Sequence, residues 1–221
     1  MQKKYSREDI KLISGQEAVR KRSSMYLGGD PSEPAIQNQM VQQCLCHALD
    51  EHINGICTNI AILLGVSEFQ IEYDAGMSLE MIPEDGICVA ELIMTRLHAC
   101  QNMKKNLEVG GKFCEIGIMV VNALSSQLEI ETASKNHIGK QTYSKGFPLS
   151  HFEIKEYEGK EFTKLRVKPD LCLFQKINFD KVSYKNGLAK SGKQCQNLSL
   201  AFSANNLIKL KSSDATGVMC P

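Results

Sequence analysis

The spacing of apolar residues changes period along this chain, and that change limits the fold more than any other feature. Over residues 35–53 apolar side chains recur at helical spacing. Ile36, Met40, Cys44 and Ala48 form one row; Val41, Leu45 and Leu49 form the adjacent one. The spacing predicts one helix over 35–53, stopped at Asn54-Gly55 because glycine tolerates a left-handed cap. Beyond it the period falls to two: residues 60–64 and Phe69-x-Ile71-x-Tyr73 read as strands. A loop is expected over 74–85, a second helix over 87–97, a glycine-bearing loop over 109–117 and a short buried helix over 118–124. After Ser125 alternation dominates, with strands expected at 128–132, 141–144, 151–157 and 162–167. Residues 179–200 read as a helix in which Gly187 and Gly192 each cost ~1 kcal/mol relative to Ala, and 207–210 as a last strand. Helices early and strands late describe an α+β layer: an antiparallel-rich mixed sheet backed by helices on one face.

Composition supports a packed domain and excludes several classes. The 221 residues are 43% apolar, enough for a core, and 23% charged, which disfavours disorder and coiled coil. Lys and Arg number 26 against 25 Asp and Glu, so there is no basic excess for nucleic acid and no acidic tail. Residues 1–10 lack the apolar core of a signal peptide. The longest apolar runs, 60–66 and 116–121, fall short of the ~20 residues of a membrane helix. A cytoplasmic protein with no membrane role is expected. Nine Cys, an odd number without a Cys-x-x-Cys pair, read as reduced, buried thiols. Residues 1–34, with Arg20-Lys21-Arg22 and Gly28-Gly29-Asp30-Pro31, read as an N-terminal arm and loop; residues 35–221 read as the domain.

Few local motifs carry chemistry alone. Asp74-x-Gly76 fits many turns. Gly110-Gly111…Gly117 ahead of a helix can cradle phosphate, since free N–H groups and the helix dipole attract anions, but an ordinary loop fits equally. Cys44-x-Cys46-His47 with His98-x-Cys100 has zinc-like residues, yet positions 44 and 46 of a helix lie on different faces, which favours core thiols.

Taken in order, however, several strings resemble one family. They are Ile10-Lys11-x-x-x-Gly15-Gln16-Glu17-Ala18-Val19-Arg20-Lys21-Arg22-x-x-Met25-Tyr26-Leu27-Gly28, Leu49-Asp50-Glu51…Gly55-x-Cys57, Asp74-x-Gly76, Ile93-Met94-Thr95-x-Leu97-His98-Ala99, Val120-Val121-Asn122-Ala123-Leu124-Ser125, Lys140-Gln141-x-Tyr143-x-x-Gly146-x-Pro148 and Lys168-Pro169-Asp170. Collinear over about residues 5–210, they resemble the ATPase domain of the B subunits of DNA gyrase and topoisomerase IV. The resemblance implies the Bergerat-type sandwich shared with Hsp90 chaperones, histidine kinases and MutL proteins. It implies ATP and magnesium as cofactors, with Asp74 accepting the adenine amino hydrogen, Gly76 admitting the base and Thr163 supporting the Asp through water. Gly111, Lys112 and Gly117 fall in the phosphate lid. Tyr5 and Ile10 fall in the arm that embraces a second protomer, so a homodimer or a gyrase or topoisomerase IV subunit is the implied partner, with DNA engaged only indirectly. The family's transducer and DNA-cleavage domains do not fit in 221 residues.

The departures from the family fall on its chemistry. Gln43 stands where the family has its general-base Glu, and a carboxamide accepts no proton at neutral pH; losing a general base costs ~10²–10⁴ in rate. His47 stands where the family has its magnesium-binding Asn, and imidazole suits that hard ion poorly. Glu51, one turn beyond, would orient His47 and raise its pKa if the imidazole served as a replacement base. The lid reads Gly111-Lys112-Phe113-Cys114-Glu115-Ile116-Gly117 in place of Gly-Gly-Leu-His-Gly-Val-Gly, and Met77, Ser78 and Phe162 replace an Arg and two Gly. The expectation is a gyrase-B-like domain with weak or no ATP hydrolysis that binds or regulates. The alternatives are the ATP-hydrolysing portion of a gyrase-type B chain that changes DNA topology with partner domains, and a nucleotide sensor that binds without turnover.

Overall fold

The computed structural model describes residues 12–97, 99, 116–179, 198–202 and 207–212. Its first elements are α1 (Gly15–Lys21) and α2 (Ser23–Leu27). Within the segment expected to be an arm and loop, residues 15–21 and 23–27 are therefore helical. Ser14 caps α1 reciprocally with Glu17, each side chain reaching the other's backbone N–H, and Val19 and Leu27 are buried in the core. Arg20, expected in a solvated loop, is drawn inward: it bonds the Ala123 carbonyl at 2.9 Å and the Asp170 carboxylate at 2.6 Å.

The helix expected over 35–53 is two helices, α3 (Pro34–Gln43) and α4 (Cys46–Ile53). Between them the chain tightens: Leu45 N–H bonds the Gln42 carbonyl, three residues back, at 3.0 Å. No glycine or proline marks the joint; Cys44, Leu45 and Cys46 are all buried there. The strands follow as β1 (Asn59–Leu64) and β2 (Phe69–Tyr73), a small hairpin β3 (Met81–Ile82) and β4 (Ile87–Cys88), then α5 (Val89–Thr95) and α6 (Ile118–Ala123). The second half gives β5 (Ser125–Ser134), β6 (His137–Ser144), β7 (Phe147–Pro148), β8 (Glu153–Glu156), β9 (Phe162–Pro169), α7 (Leu171–Phe174), β10 (Leu198–Phe202) and β11 (Leu207–Ser212). Most of the helix expected over 179–200 lies outside the described residues, but its end is strand: β10 pairs with β11, and the spacing of Leu198, Leu200 and Phe202 is alternating.

The main sheet runs β10-β11-β1-β2-β9-β5-β6-β7, with β8 also on β6. Every ladder among the described residues is antiparallel, so the mixed character expected of the sheet is not seen there. β5 and β6 join through Lys135 and Asn136, both at positive φ (48° and 63°), the conformation that matches a two-residue hairpin to strand twist. One face of the sheet is apolar: Ile60, Ile62, Leu64, Phe69, Ile71, Tyr73, Leu128, Ile130, Leu165 and Val167 are buried with the inner residues of α3 to α6 in one core. The other face alternates charge, with Glu131 opposite Lys140 and Lys164, and Glu129 opposite Arg166.

Candidate nucleotide site

Gln43 at the end of α3 reaches the start of α6, and His47 on α4 reaches the end of β2. Gln43, the last residue of α3, is buried. Its Oε1 accepts the backbone N–H of Ile116 at 3.1 Å and of Gly117 at 2.9 Å. Gly117 caps α6 at φ 90°, a conformation that disfavours any side chain. The carboxamide thus satisfies two backbone donors at the entry to a helix, where intrahelical partners are missing. It has no basicity to offer a water, and its oxygen is turned to the backbone.

His47 projects from α4 toward the sheet. Its Nδ1 lies 3.1 Å from the Tyr73 hydroxyl, and its Nε2 lies 4.0 Å from Glu51 Oε1. The expectation that Glu51 would raise the His47 pKa is not met. Burial pushes it down to about 4, because the desolvation of an imidazolium outweighs a carboxylate at that distance. The ring is neutral at pH 7. Which of Nδ1 and the phenol oxygen donates in that bond follows the tautomer of the ring. A neutral ring hydrogen-bonded to a phenol, beside a carboxamide facing backbone N–H groups, does not fit magnesium, which takes hard oxygens in octahedral array. Among the described residues no group of three or more His, Cys, Asp or Glu is placed to hold a metal. The zinc reading fares no better where it can be followed: Cys44 and Cys46 are buried thiols outside any disulfide, and burial pushes the Cys44 pKa up. His98 and Cys100 lie outside the described residues.

Asp74 and Thr163, which the resemblance joins through a water, are engaged separately. Asp74 leaves the end of β2 and grips the start of β1. Oδ1 accepts the N–H groups of Thr58 and Asn59, each at 2.8 Å, and Oδ2 accepts Thr58 Oγ1 at 2.5 Å and Asn59 Nδ2 at 2.7 Å. Partial burial would raise this carboxyl, but those bonds win and hold it at about 2. The Thr163 hydroxyl, fully buried, donates to the Ala75 carbonyl at 2.7 Å and lies 2.8 Å from the Thr132 hydroxyl; Thr132 Oγ1 in turn accepts the Met77 N–H at 2.8 Å. The two threonines thus staple the loop after β2 onto β9 and β5. Gly76 is part of that staple. A Cβ there would stand 2.1 Å from the Ala133 carbonyl oxygen, so the space its missing side chain leaves is used by the protein's own strand. Of the lid positions Gly117 is described; Gly111 and Lys112, like Tyr5 and Ile10, lie outside the described residues.

The residue that sequence reasoning missed is Tyr73. It sits directly opposite Thr163 in the β2–β9 ladder, and only 2% of its surface is exposed. The alternation of Phe69, Ile71 and Tyr73 already assigns it to the helix-facing side of the sheet and Asp74 to the next position out.

Comparison with known proteins gives the family. No protein-family model matches the chain. The gyrase B protein of Thermotoga maritima is 32% identical over 181 residues, 80% of this chain and 28% of that protein. The topoisomerase IV B protein of Pseudomonas aeruginosa is 30% identical over 207 residues, 91% of this chain and 32% of that protein. Among solved structures, the 43K ATPase domain of Thermus thermophilus gyrase B, in complex with an aminocoumarin, superposes with a TM-score of 0.65 at 25% identity, over 81% of this chain and 45% of that one. The chain thus spans about a third of the length of these curated relatives. Among the described residues no helix is long and apolar enough to cross a membrane. The collinear sequence match and the antiparallel sheet packed under helices agree: the chain belongs to the DNA gyrase B and topoisomerase IV B family, in the part that carries the ATPase domain.

Proposed function

We propose that this gyrase-B-like domain hydrolyses ATP weakly or not at all and acts as a binding or regulatory module, its partner being a topoisomerase subunit or a second copy of the chain. The observation that carries the reading is Gln43: it replaces the group that activates water, and its oxygen already holds the Ile116 and Gly117 N–H groups. His47 supports it, since a neutral imidazole bonded to Tyr73 is neither a ready magnesium ligand nor a free base. Loss of the base alone removes ~10²–10⁴ in rate. Steady-state ATP hydrolysis with magnesium tests this. The wild-type chain is expected to turn over at least ~10²-fold more slowly than a gyrase B ATPase domain that keeps the Glu base, and His47→Ala to leave that rate unchanged. Magnesium-dependent turnover by the wild type at the undiminished rate would remove the reading. Retention of gyrase or topoisomerase IV subunits, or of a second copy, on the immobilised chain tests the partner, and no retention of either counts against a regulatory role.

A further inference from the structure

We propose that the Tyr73 ring occupies the base position of this family's nucleotide site, so that the domain folds around its own phenol and admits no adenine. The inference deepens the non-hydrolysing reading above and rests on it.

Three observations converge. The role that the resemblance gives an Asp beside Thr163 needs both on one face of the sheet, and the residue opposite Thr163 on the helix-facing side is Tyr73. Asp74 is turned the other way, with both oxygens holding Thr58 and Asn59. The phenol is also anchored at its far end: its hydroxyl lies 3.1 Å from His47 Nδ1, and the two ring centroids are 5.8 Å apart. The ring therefore bridges the gap from strand β2 to helix α4, and close-packed interiors leave no room for a second aromatic group beside it in that layer. The nearby backbone is committed too. Thr163 bonds Ala75, and Gly76 lies against Ala133. Both altered positions of the helix row thus serve an internal ligand: His47 holds the phenol, and Gln43 holds the chain entering α6.

The experiment is calorimetric titration of the full chain with adenosine, which probes the base position without the phosphate end, alongside the Tyr73→Phe and Tyr73→Ala variants. Wild type and Tyr73→Phe are expected to give no binding at 1 mM adenosine, roughly the weakest affinity the method resolves. Tyr73→Ala, with the ring removed, is expected to bind at least ~10-fold more tightly than that limit. Adenosine binding by wild type equal to that of Tyr73→Ala overturns the inference, as does a folded Tyr73→Ala that binds nothing. Should Tyr73→Ala not fold, the ring resonances of Tyr73 and His47 in the wild type decide. They are expected to stay fixed as adenosine is added, and saturable shifts at both rings overturn the proposal. The two readings fail separately: adenosine binding by wild type without ATP turnover sinks only the Tyr73 assignment, whereas turnover at the undiminished rate sinks the non-hydrolysing reading as well.

Discussion

At Gln43 a single oxygen accepts two backbone N–H groups, and its worth is set by what would replace it. Gln43→Ala leaves two donors without partners at a buried helix entry and should cost about 1–3 kcal/mol per unsatisfied group, read as a fall in the urea midpoint. Gln43→Glu keeps an acceptor in place, next to the positive end of α6, and should leave the midpoint nearly unchanged. Equal losses in both variants would contradict the capping role. Asp74 is the second case. Its carboxyl is held near 2 against an ordinary 3.8, so the native state binds its proton less readily than the unfolded chain. The stability this contributes is present above pH 3.8 and disappears as pH falls toward 2. Asp74→Ala should remove that acid-limb contribution while leaving adenosine binding as it is in the wild type.

Helix α4 carries two groups whose titrations oppose one another. His47 falls from 6.5 to about 4 through burial. Between those values the unfolded chain binds a proton that the native chain refuses, so stability rises with pH by at most ~1.4 kcal/mol per unit. Asp50 rises from 3.8 to about 6, through burial and then the charge of Glu51. Between those values the native chain holds the extra proton, so stability falls as pH rises. The two slopes partly cancel between pH 4 and 6. His47→Gln should therefore leave a curve that declines from pH 4 to 6, and Asp50→Asn one that climbs from pH 4 to 6.5, measured by denaturation at fixed ionic strength. Identical curves for both variants would refute the assignment.

The elements also show what could be seen in the sequence. Strands β1, β2 and β9 were legible because alternation marks a half-buried strand directly. The joint between α3 and α4 was not, since buried Cys44, Leu45 and Cys46 look like uninterrupted helix and packing sets the tightened turn. Ser14 and Glu17 stand at capping-box spacing ahead of α1, a signal that a reading of residues 1–34 from the basic run and the glycines leaves unused. At the site, motif spacing pointed to Asp74, whereas the strand period, followed one residue further back, pointed to Tyr73.

At the scale of the whole molecule one side chain ties the first described helix to elements far along the chain. Arg20 on α1 joins the end of α6 and the residue that caps α7, and its partner Asp170 is only 5% exposed. Arg20→Ala strands a buried carboxylate and should cost about 3–5 kcal/mol, checked by chemical denaturation. Arg20→Lys should recover part of this, since it restores charge but not the fork that reaches both oxygens. A chain shortened to begin at residue 35 loses Val19, Leu27 and this tie together. It should lose the cooperative transition altogether; a stable, cooperative fragment would return the first 34 residues to the status of a dispensable arm.

The Arg20–Asp170 contact spans 150 positions of the chain. On a ribosome adding roughly 5–20 residues per second, α1 emerges about 8–30 s before its carboxylate partner does. For the first part of that interval α6, on which α1 packs, is not yet made, and until Asp170 follows the Arg20 guanidinium has only the Ala123 carbonyl to hold. Birth order and final architecture are thus at odds here: α1 is made well before the residue that fixes it, and a nascent chain paused before β9 presents that helix, not yet tied, to whatever else is in reach.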